Sequence, residues 1–150
     1  MQRWLLIGGV TCLLLFGLGL PTAYHLYKQS RPHPVWVPIR INSMVSLTET
    51  DRVISELSLK ISEHERLVRL GKELGLKDKW EMSSYDEVAD EIARRLFVRR
   101  GDMDTPMGKL PAIHVGVRGT NRDRVDSYAL VEGLMPDVWK ILGMGPPPQR

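Results

Sequence analysis

The chain has 150 residues, room for one modest domain or for a membrane segment followed by a domain of about 110 residues, and too few for two enzyme domains. Its 21 Lys and Arg against 18 Asp and Glu give a net charge of +3, but the charges are segregated: residues 4–27 hold none, and the part after Lys28 has 19 basic against 18 acidic residues, a balance of +1. A general basic footprint for nucleic acid is thereby excluded, and the lone Cys12 leaves the rest of the chain without a disulfide or a cysteine metal site.

The uncharged run of 24 residues exceeds the roughly 20 that cross a bilayer core as a helix. It predicts an N-terminal signal-anchor transmembrane helix over residues 1–28, with Trp4, Leu13, Phe16, Leu20 and Tyr24 facing lipid and the aromatic residues near its ends. A cleaved signal peptide is disfavoured by Pro21 where a small residue is required, and the six apolar or small residues between Trp4 and Thr11 are too few for a lipid-attachment signal at Cys12. Arg3 and the amino terminus on one side nearly balance Lys28 and Arg31 on the other. The short head favours a single-pass protein of the bacterial inner membrane with its soluble part in the periplasm.

Residues 29–42 contain Pro32, Pro34 and Pro38 and predict an extended stalk that leads into a first strand, in which Val35, Val37, Ile39 and Ile41 alternate. A small β-rich domain is expected over 43–143. Its second strand covers 53–61, where Leu57, Leu59 and Ile61 repeat at period two after a turn at 48–51. Over 62–76 a capping box of Ser62 and Glu65 with Leu67, Leu70 and Leu74 favours a helix, with a strand over 66–70 as the rival. An amphipathic helix is expected at 84–100, capped by Ser84 and Glu87, basic at Arg94, Arg95, Arg99 and Arg100, and stopped by Gly101. A loop over 101–111 then leads to a strand at 112–118. The turn GTNRDR precedes one more strand near 128–131 and a short helix beginning at Pro136, and residues 144–150 form a disordered tail.

The anchor, the proline spacer, VPIRI, VISELSLKISEHERLVRLGKELGLKD and MGKLPAIHVGVRG together resemble a group of small bacterial envelope proteins with a β-sandwich domain of unknown function. Residues 84–100 would be that group's helical insertion and Gly108-Lys109-Leu110-Pro111 its step into the next strand. Leu67-Val68 stands where the group has an aromatic residue, and the chain stops where the group continues through more strands. The resemblance implies an α+β chain with a sandwich-like, incomplete β-rich domain that faces the envelope and binds something there.

Catalytic signals fail on inspection. His64-Glu65 opens like a zinc-protease motif, but Val68 occupies the place of the second histidine; His114 stands alone in its strand; Asp102 and Asp104 are two carboxylates where calcium needs six or more oxygens. No phosphate loop and no nucleophile elbow is present. Arg100-Gly101-Asp102 matches an adhesion tripeptide, but its glycine is already needed as a helix stop. Arg118, Arg122 and Arg124 around Gly119-Thr120-Asn121 form a candidate anion site. No catalytic residue, cofactor or metal is therefore assigned.

The sequence points to a non-enzymatic, membrane-anchored protein whose partners are the lipid bilayer, through residues 4–27, and a protein, with no nucleic acid and no metal. An immunity or inhibitor protein is one version. Alternatives are an accessory subunit of an inner-membrane complex, with Trp139, Ile141 and Leu142 as interface anchors, and a truncated family member without function.

Overall fold

The computed structural model describes residues 20–41 and 45–145. In chain order these form α1 (Leu20–Ser30), β1 (Val35–Arg40), α2 (Leu47–Ile61), α3 (His64–Glu73), α4 (Leu76–Lys79), α5 (Tyr85–Arg95), β2 (Leu96–Thr105), β3 (Gly108–Val117) and α6 (Arg124–Ile141). The class is α+β. Its only sheet among the described residues has three antiparallel strands in the order β1-β3-β2, with Val35 and Leu96 both opposite Val117 and Thr105 opposite Gly108.

Alternation along the strands sorts the sheet into two faces. Val35, Val37 and Ile39 of β1, Leu96 and Val98 of β2, and Ile113, Val115 and Val117 of β3 all pack beneath the helices. One half of the core joins Val35 and Val117 to Leu67, Leu70, Val88, Ile92, Leu130 and Leu134; the other joins Ile39, Ile113 and Val115 to Leu57, Ile61 and Val138. Ion pairs lock the outer helices: Arg66 and Arg69 of α3 hold Asp137 of α6 at 3.0 and 2.9 Å, and His64 lies 2.9 Å from Asp86 of α5.

Several expectations are corrected. The β-rich, sandwich-like domain is a one-sheet fold with six helices among the described residues. Among those residues no helix is long and apolar enough to cross a membrane. α1, with Leu20 and Tyr24, is an 11-residue helix, while Trp4, Leu13 and Phe16 lie outside the described residues. The strand expected at 53–61 is part of α2. Thr50, Leu57 and Ile61 are buried at helical spacing and Ser46 accepts the Glu49 N–H as N-cap, so the 3.6-residue repeat prevails over the shorter alternation. Residues 62–76 are helical as the local signals favour, but α3 starts at His64 without the Ser62 cap.

The helix expected at 84–100 ends at Arg95. Its cap forms, with the Glu87 N–H donating to Ser84 Oγ at 3.1 Å, and the Ser83 hydroxyl and N–H hold the Glu87 carboxyl below its ordinary range. Leu96, Phe97 and Val98 then enter β2, because they pair with β3 and because such residues favour strands. The loop expected at 101–111 is the far half of a β-hairpin turning at Pro106 and Met107. Finally, the strand near 128–131 and the helix from Pro136 are one helix, α6, whose buried Ser127, Leu130, Val131, Leu134 and Val138 keep one stripe straight through the proline. Losing one N–H there is outweighed by burial on both sides of it.

Leu57 and Leu59 separate helix from strand experimentally. A strand would bury both on one face, whereas here Leu57 is 1% exposed and Leu59 76%. Leu57→Ala is expected to cost about 2–5 kcal/mol of unfolding free energy and Leu59→Ala less than about 0.5 kcal/mol, read from denaturant midpoints of the full chain.

Candidate functional site

The proline stretch after α1 is fastened to the domain. The turn between β3 and α6 grips it. Asn121 Nδ2 donates to Lys28 O at 2.9 Å, and the N–H groups of Arg122 and Asn121 donate to Gln29 O and Arg31 O at 3.2 and 3.1 Å. The His33 N–H donates to Gly119 O at 2.7 Å, and Pro32 bridges to Thr120. The carbonyls left over at the end of α1 therefore find donors in this turn, as helix ends require. The stalk expected at 29–42 is a docked segment that runs directly into β1.

The second face of the sheet is open among the described residues. None of its apolar side chains belongs to the clusters beneath the helices. β1 places Trp36, Pro38 and Arg40 there, β2 places Phe97, Arg99, Gly101 and Met103, and β3 places Leu110, Ala112, His114 and Gly116. Arg118 follows on the same side, its N–H extending the ladder to Arg95 O at 2.8 Å. No carboxylate projects from this face, since Asp102 and Asp104 alternate to the other side.

Two glycines let its rings settle against the backbone. A methyl group at Gly101 would overlap the His114 imidazole, and one at Gly116 would press on Trp36 and Phe97. His114 lies across Gly101 and is only 9% exposed; its Nε2 donates to Asp102 O at 3.0 Å, which fixes the proton on that nitrogen because a carbonyl can only accept. Its Nδ1 is buried without a hydrogen-bond partner among the described residues. The Trp36 ring, 42% exposed, stacks on the imidazole at 5.8 Å between centroids, and the Arg99 guanidinium stands 5.1 Å above Phe97.

A cleft of about 890 Å³ lies behind the clamp, between the end of α1 and the α4 turn. Its charges largely cancel. Arg95 sits 4.5 Å over Trp80 and pairs with Glu91 at 2.6 Å and Asp123 at 3.4 Å, while Asp126 takes Lys79 and the Trp80 indole N–H at 3.5 and 3.4 Å. These contacts brace the turn that holds α1.

The candidate residues from the sequence fall in separate places. Arg118 reaches the open face, Arg122 lines the cleft, and Arg124 lies 5.6 Å over Tyr128. The Asn121 and Arg122 N–H groups, which could have held an anion, are instead spent on carbonyls at and just beyond the end of α1. Trp139, Ile141 and Leu142 pack against the lower core, so much of their surface serves the chain's own interior. Arg100-Gly101-Asp102 lies within β2, with Arg100 paired to Asp51. Among the described residues no three or more His, Cys, Asp or Glu side chains converge as a metal site. What sequence reasoning missed is the open face. The out-of-phase Trp36 and Arg40 in VWVPIR signal it, but reading Phe97 and Arg99 as helical hides their side.

Gly101→Ala is expected to cost about 1–3 kcal/mol in denaturant unfolding, with the double variant Gly101→Ala/His114→Ala recovering part of the loss, because the clash needs both side chains. Compared with protein-family models, curated proteins and solved structures, the chain matches none, so its geometry alone supports a functional reading.

Proposed function

We propose that this protein is a membrane-tethered docking module: the uncharged run at residues 4–27 holds it at a bilayer, and the open sheet face binds a protein partner that presents acidic side chains around an apolar centre. The observation that carries the reading is the composition of that face. It sets Trp36 and Arg40 beside Met103 and Leu110 and has no acidic side chain, in a chain whose acidic and basic residues are otherwise nearly equal in number.

Tryptophan and arginine are the side chains that dominate protein interfaces, because each buries a large surface at small entropic cost and keeps a polar handle. Here the glycine seats of His114 and Trp36 hold the rings before any partner arrives, which lowers the cost of ordering them. Arg40 supplies steering and register toward an acidic surface.

A photoreactive residue placed at Trp36 in the full chain, in its native cells, is expected to crosslink to a discrete protein, while the same residue at Leu59 on α2 is not. Reversing Arg40 to Glu is expected to weaken the adduct severalfold. Equal crosslinking at both positions, or an adduct indifferent to charge reversal, would refute the reading.

A further inference from the structure

The fold gathers cations that are far apart in sequence at the end of the domain where α1 enters. Lys28 and Arg31 lie at and just beyond the end of α1, Arg118 and Arg122 flank the turn that grips it, and Arg99 faces the same end from β2. Arg99 and Arg118 share a hollow of about 350 Å³ with Phe97, Pro32 and Pro34. None of these five cations forms an ion pair with a described residue. Two of the neighbouring carboxylates are already occupied: Asp123 by Arg95 and Thr120, and Asp126 by Lys79 and Trp80. Glu81, on the cleft rim, is the one left without an ion pair among the described residues there. The end is strongly cationic although the domain is nearly neutral.

We propose that this end is a docking surface for anionic phospholipid, with lipid phosphates meeting Arg99 and Arg118 in the hollow and Lys28, Arg31 and Arg122 around it. The inference rests on the tethering reading above, since the first eight residues of α1, 20–27, are the end of the uncharged run 4–27. That continuity brings this end, and not the hairpin tip, to the bilayer. Met107 at the tip is fully exposed and stands about 30 Å away along ten-residue strands. Guanidinium groups suit phosphate because their forked donors match two of its oxygens, and an anionic leaflet concentrates such groups within a screening length of roughly 10 Å. The apolar floor of Phe97 and the two prolines suits the glycerol region just below.

The test uses the full chain with Cys12→Ser, carrying a fluorescent label on a single cysteine at Pro34→Cys or Met107→Cys. It is reconstituted into phosphatidylcholine vesicles with and without phosphatidylglycerol, each doped with a headgroup-nitroxide lipid. The label at position 34 is expected to be quenched more strongly with phosphatidylglycerol. The excess should vanish on raising salt from roughly 0.1 to 0.5 M and in an Arg99→Gln/Arg118→Gln variant, while position 107 stays unquenched throughout. Equal quenching at position 34 in both lipids, insensitivity to the arginine pair, or quenching at 107 in its place would overturn this inference and leave the tether intact. Failure of the chain to float with either vesicle would overturn both. Circular dichroism of the Gln variant separates loss of docking from loss of fold.

Discussion

Among the described residues β3 is the one strand with a neighbour on each side, and everything else is placed by the alternation of its residues. Ile113, Val115 and Val117 point to the helices and create the core; His114 and Gly116 point the other way and create the open face. Because side chains alternate strictly, a shift of one residue in the pairing with β1 or β2 would exchange the two sets. The shape of the open face resists such a shift as well. The imidazole of His114 fits only over a glycine, and Gly101 provides it in one register.

Packing α2, α3, α5 and α6 on one side of the sheet leaves the described part of the molecule with an unequal surface. The helical side pairs several of its charges internally, as in the Arg66, Arg69 and Asp137 cluster and in the Glu91 and Arg95 pair of α5. The open side and the α1 end carry cations that have no such partners. Charge that is left unpaired on one surface while pairs form elsewhere is free to act on another molecule, whereas exposed pairs contribute little to recognition or stability.

Much of the local structure was legible in the sequence. The Ser84 cap, the stripe of Val88, Ala89 and Ile92, and the alternation of Val35, Val37 and Ile39 each follow from a single short-range rule. Errors arose where two periods fitted the same residues. Leu57, Leu59 and Ile61 fit a strand when read alone, and only the addition of Thr50, Val53 and Ile54 reveals the helix. The run RRLFVRRG conceals a change from helix to strand between Arg95 and Leu96 with no glycine or proline to mark it, because the signal is the pairing with β3, a partner about 20 residues away. The open face was illegible for the same reason: Trp36, Phe97 and His114 meet only after three strands have found their register.

The grip of the Gly119–Arg122 turn on the end of α1 also determines how the molecule would carry a mechanical load. A pull on the amino-terminal segment passes through His33 and Gly119 into the end of β3 and from there into α6, while β1 loads the same strand from its other side. The four helices between β1 and β2 lie outside that path. Tension is thus borne in shear by strands that must part many bonds together, and residues 47–95 touch that path through side chains such as Lys79, Trp80 and Arg95, which brace the turn from the side.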